Sequence, residues 1–353
     1  MPAGMSAVIT VEELTQSPAW FPLEALGRDA VRLVHLDEGA YRDASFLDQR
    51  LLSSSLTRTT LELALVEAAA AGLVPRLHYV FHTGHVGSTL ISRLIGAHAS
   101  FFSLREPALL RAAAERSPPG TVAPGAPPVT PPLRVTLSLL ARTWRASQRA
   151  VVKVTSVASE LADEILTHSE HPAAVFMFVE PLAYLRGILA GPNSRAESKV
   201  LAAARLKRLV RRLAAAEWHA EPKSEGEQVA MSWLCEMLTL HQAALLHPAK
   251  VLWVNFDAFL AAPQPSLQAI FHALGAQAAQ QEIEALVSGP IMRQYSKAPE
   301  HAYDAQLRRE VLQSADWDHG AEIRRGLAWL EGVARQYPLA AAVLRALEAR
   351  RVT

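Results

Sequence analysis

The densest chemistry in this 353-residue sequence lies where the run Leu77-His78-Tyr79-Val80-Phe81 passes through His82 into Thr83-Gly84-His85-Val86-Gly87-Ser88-Thr89. Leu90, Ile91, Leu94 and Ile95 then follow at helical spacing. A strand, a glycine-rich loop and a helix in that order gather backbone N–H groups at a helix N-terminus with the helix dipole behind them. That arrangement binds phosphate. Gly84 and Gly87 permit a tight turn and close backbone approach, and Ser88 and Thr89 add hydroxyls. The nucleoside-triphosphate pattern GxxxxGK[ST] is not met, because no lysine precedes Ser88, and that lysine is the group that reaches the terminal phosphates. A plain glycine turn closing a strand–helix unit is the alternative reading of the same residues.

Two further side chains could act on a group held there. Glu106 directly follows the strand-like run Phe101–Leu104 and Arg105. A carboxylate at the carboxyl edge of a strand can take a proton from an acceptor, or it can serve only as an acid ahead of the helix that Pro107 opens. Lys153 interrupts the apolar run Val151-Val152-Lys153-Val154. A lysine buried there needs an anion, either a ligand oxygen or a carboxylate such as Glu106. His85 adds a cation below its ordinary pKa of about 6.5. His82 and His85 lie three apart with no third ligand readable nearby, so no metal site is expected.

Basic residues crowd two other stretches. Residues 195–212 hold seven (Arg195, Lys199, Arg205, Lys207, Arg208, Arg211, Arg212) against one acid, Glu197. On a helix these make a solvated face, a steering surface for an anionic ligand, or a membrane-surface contact. Arg293, Tyr295, Ser296 and Lys297 form a polar cluster further on.

The elements that must position these groups alternate. Strand-like runs at 77–81, 101–104, 151–154, 174–179 and 251–256 are separated by helical segments, and several are apolar on both faces. The pattern predicts an α/β fold of three layers around a mainly parallel sheet of about five strands. Residues 1–75 are expected to be a mostly helical lead-in, with a helix over about 45–71 stopped by Gly72 and Pro75. The core would span 76–300, with a helical extension at 301–353. Seven of the sixteen residues in 117–132 are proline, which predicts an insertion outside helix and sheet.

Composition sets the outer limits. Half of the residues are hydrophobic, so the chain can bury a large core. A net charge of +1 argues against a globally basic nucleic-acid binder. The single cysteine, Cys235, excludes a disulfide within the chain and reads as a small core residue. The N-terminal residues lack a basic segment ahead of an apolar run, and no uninterrupted apolar stretch nears the ~20 residues of a membrane span. A cytoplasmic location is the expectation.

The loop His82–Leu90 resembles the 5′-phosphosulfate loop of the sulfotransferase branch of P-loop proteins. Leu104-Arg105-Glu106-Pro107 is similar to the acidic strand end of its tyrosylprotein-type and bacterial members, and Val152-Lys153 to their strand-borne lysine. Trp233 on a long helix, then Val251–Asp257, resembles the closing helix and strand. The resemblance covers about 77–300 and implies a P-loop fold. It also implies 3′-phosphoadenosine 5′-phosphosulfate as donor, with no metal, and a small-molecule or peptide acceptor offering a hydroxyl or amine. It makes Glu106 the base, Lys153 and His85 stabilisers of the transferring group, and residues 83–89 the donor loop. Lys297 and Arg293 would come from a basic loop that closes over the donor. Two positions depart from the family. His85 stands where Lys or Arg is usual, and Glu180 and Ile188 replace the Arg and Ser that meet the 3′-phosphate. Either Arg186, Ser194 and Arg195 take over that phosphate or the donor lacks it. With Glu180 as a magnesium-holding acid the chain would instead be an ATP-dependent phosphotransferase. A third reading is a non-catalytic scaffold.

Overall fold

The computed structural model describes residues 9–53, 55–116, 131–215, 217–296 and 304–352. The lead-in expected to be mostly helical carries a three-stranded antiparallel sheet: β1 (Trp20–Leu26), β2 (Ala30–His35) and β3 (Arg58–Glu62), in that spatial order. The helix expected over 45–71 is confined to Leu63–Ala71, after a 3-10 turn at Gln49–Ser53 and then β3. The reason is local. Thr57, Thr59 and Thr60 are β-branched and disfavour helix, and Leu61 and Thr59 pair with Val31 and Leu33 of β2, which are fully buried.

All five expected core strands are present: β4 (Leu77–His82), β5 (Phe101–Arg105), β6 (Arg149–Lys153), β7 (Ala174–Phe178) and β8 (Val251–Asn255). They form one parallel sheet in the order β5-β6-β4-β7-β8. Strand periodicity divides their side chains between two cores. Val80, Val151, Val175 and Met177 face one helical layer, whereas Tyr79, Phe81, Val152 and Phe176 face the other, where Phe21, Leu23 and Val34 of the small sheet also pack. This is the three-layer α/β fold expected. The chain leaves β4 towards β5 and β6 on one side and crosses to β7 and β8 on the other, so the sheet's switch point falls beside the glycine loop. In open α/β sheets, ligands bind in that crevice.

The helix Glu225–Leu246 crosses one face of the sheet, opened by a Ser224–Glu227 capping box. Its Trp233 indole N–H donates to Val179 O at 3.0 Å. By length and composition it could span a bilayer, but most of its apolar stretch is buried within the fold. Burial pushes the thiol of Cys235, on this helix, up to about 12, which suits a packing group. The long C-terminal helix Ala305–Gln336 lies across its start. A Cβ on Gly226 would stand 1.9 Å from Glu322 O, and one on Gly326 would stand 2.6 Å from Gly226 O, so backbone meets backbone there.

The stretch 195–212 lies on the helix Pro192–Arg212, and its arginines turn inward. Arg205 and Arg208 pair with Glu236 at 3.0 and 3.1 Å, while Arg208, Arg211 and Arg212 pair with Glu160. Both carboxylates are buried, Glu236 completely. Of the seven basic side chains, Lys207 is exposed, and Lys199 reaches Glu225 at 3.3 Å. The basic face is therefore largely a packing surface. Amphipathic spacing alone could not show this, because the partners of Arg205, Arg208, Arg211 and Arg212 sit 28 or more residues away.

Burial alone would raise the Glu160 pKa, but Arg208 and Arg212 outweigh it and hold the carboxyl below its ordinary value. A depressed folded-state pKa stabilises fully above the unfolded value and is lost as pH falls through the folded one. Acid unfolding of the Glu160→Gln variant should accordingly lack part of the wild-type pH dependence below about pH 4. Glu236→Gln removes the carboxylate paired with buried Arg205, and should cost about 3–5 kcal/mol in denaturant unfolding at neutral pH.

Candidate functional site

The loop leaves β4 through a run of left-handed residues: Gly84 (φ 89°), His85 (φ 53°) and Gly87 (φ 69°). These conformations turn the backbone sharply into the helix Ser88–Ala97, whose N-cap is Gly87 with no side-chain hydrogen bond. The first N–H groups of that helix have no intrahelical acceptor. Thr89 Oγ1 is buried with no hydrogen-bond partner among the described residues, and so is Thr83 Oγ1. Hydroxyls buried unsatisfied are costly, which marks the loop as shaped for a ligand. His85, although it is not glycine, holds its left-handed conformation with both ring nitrogens engaged. Nδ1 lies 3.1 Å from Ser194 Oγ and Nε2 lies 3.1 Å from Glu197 Oε2.

Lys153 ends β6, next to β4 in the sheet, and is fully buried. Its Nζ donates to Glu106 Oε1, and the Glu106 N–H donates to Lys153 O at 2.7 Å. Glu106 adopts φ 53° as the chain leaves β5. A left-handed non-glycine residue at a strand end is a strained position of the kind found at functional sites. The two residues that the sequence left open as base and cation are thus an ion pair, with the lysine side open to the loop.

A cleft of about 470 Å³ runs from the loop to the C-terminal helix. His85, Val86, Gly87, Ser88, Thr89, Lys153 and Ser194 line it. Thr83 and Gly84 lie behind it, and the Tyr184 hydroxyl donates to Thr83 O at 3.3 Å. Glu106 touches the cleft only through Lys153. Arg186 and Arg195 are elsewhere: Arg186 forks onto Asp316 at 2.7 and 2.5 Å, and Arg195 onto Glu225 at 2.9 and 2.6 Å. Their acids lie on other helices, which no local pattern could reveal. Arg293 is exposed and off the cleft, whereas Tyr295 and Ser296 line it. Lys297 and most of the proline-rich insertion (117–130) lie outside the described residues. Glu180 stands at the N-cap position of the helix Pro181–Ala190 without a side-chain cap hydrogen bond and Ile188 is a core residue, and neither lines the cleft.

Sequence reasoning missed Phe256 and Arg308. The Phe256 ring occupies the space beside Gly87, where an added Cβ would come within 2.1 Å of it. Arg308, buried on the C-terminal helix, has its Cζ 5.1 Å from the centroid of that ring. The Asp304 cap signals where the helix starts, but nothing local marks Arg308 as a cleft residue.

No protein-family model matches this sequence, and a search of curated proteins gives no match. Among solved structures, the chain is similar to the sulfotransferase domain of the curacin biosynthetic pathway (13% identity, TM-score 0.41, 74% of this chain and 99% of that one). It is also similar to the sulfotransferase domain of the Synechococcus PCC 7002 olefin synthase (12%, 0.38, 67% and 93%). A third likeness is to mouse sulfotransferase SULT7A1 complexed with PAP (10%, 0.40, 79% and 93%). At these identities and scores the likeness adds nothing to what sheet order and cleft define: an α/β protein with a glycine-rich loop at its switch point.

Gly87→Ala should cost about 2–4 kcal/mol in denaturant unfolding, through left-handed strain and the collision with Phe256. Gly84→Ala, whose added Cβ meets nothing closer than 3.8 Å, should cost only the strain, about 1–2 kcal/mol.

Proposed function

We propose that this protein is a sulfotransferase, moving a sulfuryl group from 3′-phosphoadenosine 5′-phosphosulfate to the hydroxyl or amine of a small-molecule or peptide acceptor. The observation that carries the reading is the convergence of buried Lys153 with Gly87, Ser88 and Thr89 on one cleft, with Glu106 bonded to that lysine. Helix-start N–H groups and unpartnered Thr89 Oγ1 fit the oxygens of a phosphosulfate, and the ammonium fits the charge that grows on the bridging oxygen as the S–O bond breaks. Sulfuryl transfer is an in-line displacement. The acceptor oxygen or nitrogen forms the new bond to sulfur from the side of Lys153 on which Glu106 stands, and its proton passes to a Glu106 carboxylate oxygen. The bridging oxygen keeps the electron pair and stays with the bisphosphate on the loop. Lys153 holds Glu106 in place, so base and cation are set by one contact. The phosphotransferase reading fits less well, since Glu180 is not among the residues that line the cleft.

Calorimetry should show binding of adenosine 3′,5′-bisphosphate well below millimolar concentration, and no binding at millimolar would sink the proposal. With labelled donor and a panel of phenol, sugar and amine acceptors, Glu106→Gln should lower transfer about 10²–10⁴-fold at unchanged bisphosphate affinity. Undiminished transfer by that variant would mean that Glu106 is not the base.

A further inference from the structure

We infer that Arg308 is the second anion-binding group of the cleft and takes the ribose 3′-phosphate of the donor, an inference that rests on the sulfotransferase reading above. A donor with phosphates on both sides of one ribose needs a cation within a sugar's reach of the loop. Among the described residues, those that the sequence offers for it do not supply one. Arg186 and Arg195 are forked onto Asp316 and Glu225 away from the cleft, Glu180 is an acid off the cleft wall, and Ser194 is bonded to His85.

Arg308 meets each requirement. It is 7% exposed and lines the cleft. Its Nε and Nη2 both donate to Asp257 Oδ1, at 3.0 and 2.9 Å, which fixes the guanidinium plane and leaves Nη1 uncommitted to that carboxylate. A guanidinium held by a carboxylate on one edge loses little rotamer freedom when the rest of its fork meets an anion. Phe256 sets the spacing. Its ring fills the space beside Gly87 of the loop and has the Arg308 Cζ 5.1 Å from its centroid, so one aromatic ring neighbours both loop and cation. Asp304, one helical turn before Arg308 and also on the cleft wall, is turned to the N–H groups of Gln306 and Leu307. Lys153 and Arg308 then divide the ligand, the first facing the transferring group and the second the ribose phosphate.

The test compares adenosine 3′,5′-bisphosphate with adenosine 5′-phosphate by calorimetry on the full chain. Wild type should prefer the bisphosphate by about ten- to a hundredfold, the range of one charge-assisted contact. Arg308→Gln should lose that preference while binding the monophosphate as wild type does, and retained monophosphate affinity doubles as proof of folding. Arg308→Lys keeps the charge without the fork and should retain part of the preference; it carries the test if the glutamine variant does not fold. Equal wild-type affinity for the two nucleotides, an equal loss of both in Arg308→Gln, or an intact preference in both variants would overturn the assignment. Binding of neither nucleotide by wild type is a different result, which removes the donor itself and this inference with it.

Discussion

Two buried carboxylates organise the layer that faces the cleft. Glu160 sits in the 3-10 turn Ser156–Leu161 after β6, and Glu236 in the middle of the central helix. Neither could remain charged out of water without partners. Four arginines of a third helix close on them, which ties three segments into one unit. The cleft inherits that order. The helix so fixed also carries Ser194 and Glu197, which hold both nitrogens of the His85 ring and so the strained turn of the loop. Arg205 also reaches Ser156 at 3.4 Å, and Ser156 lies against Gly84 on the back of the loop. The glycine loop is therefore braced from behind by charge that the cleft never touches.

What the sequence disclosed follows from the range of the interactions involved. Several core strands are apolar on both faces because packed layers cover both, so short runs such as Ala174–Phe178 are recognisable without context. The loop is equally legible, since glycines at left-handed positions and hydroxyls at a helix start are local requirements. The small N-terminal sheet was hidden because β3 is stabilised by pairing with β2 across more than twenty residues, while its flanking apolar spacing mimics a helix. The arginines of 205–212 misled for the opposite reason. Charged side chains at helical spacing look solvent-facing until a distant acid is known to be buried beneath them.

Glu106 and Lys153 show how much of a site can be read and where reading ends. Each could be singled out by position, one at a strand end and one inside an apolar run. Their direct bond could be offered as an alternative and no more, because neighbouring strands β5 and β6 are separated in sequence by a helix, the proline-rich insertion and a second helix. The parallel register, Arg105 opposite Lys153, places the next residue of one strand beside the last of the other. The pairing is thus a product of sheet register, and the left-handed turn at Glu106 aims its carboxylate back along the edge.

The glycine crossing of Gly226 and Gly326 acts as a fulcrum. Arg308 lies eighteen residues from Gly326 on the same helix, a lever arm of about 27 Å at the ordinary rise per residue. One degree of tilt at the crossing would move the arginine end by roughly 0.5 Å. Because backbone rests on backbone at the pivot, no side chain there can relax to absorb such a tilt. The crossing, together with the pairs Arg186–Asp316 and Arg308–Asp257 along the same helix, sets where its cleft end stands, so a larger residue at the crossing would act on the cleft as a misplaced hinge acts on a door.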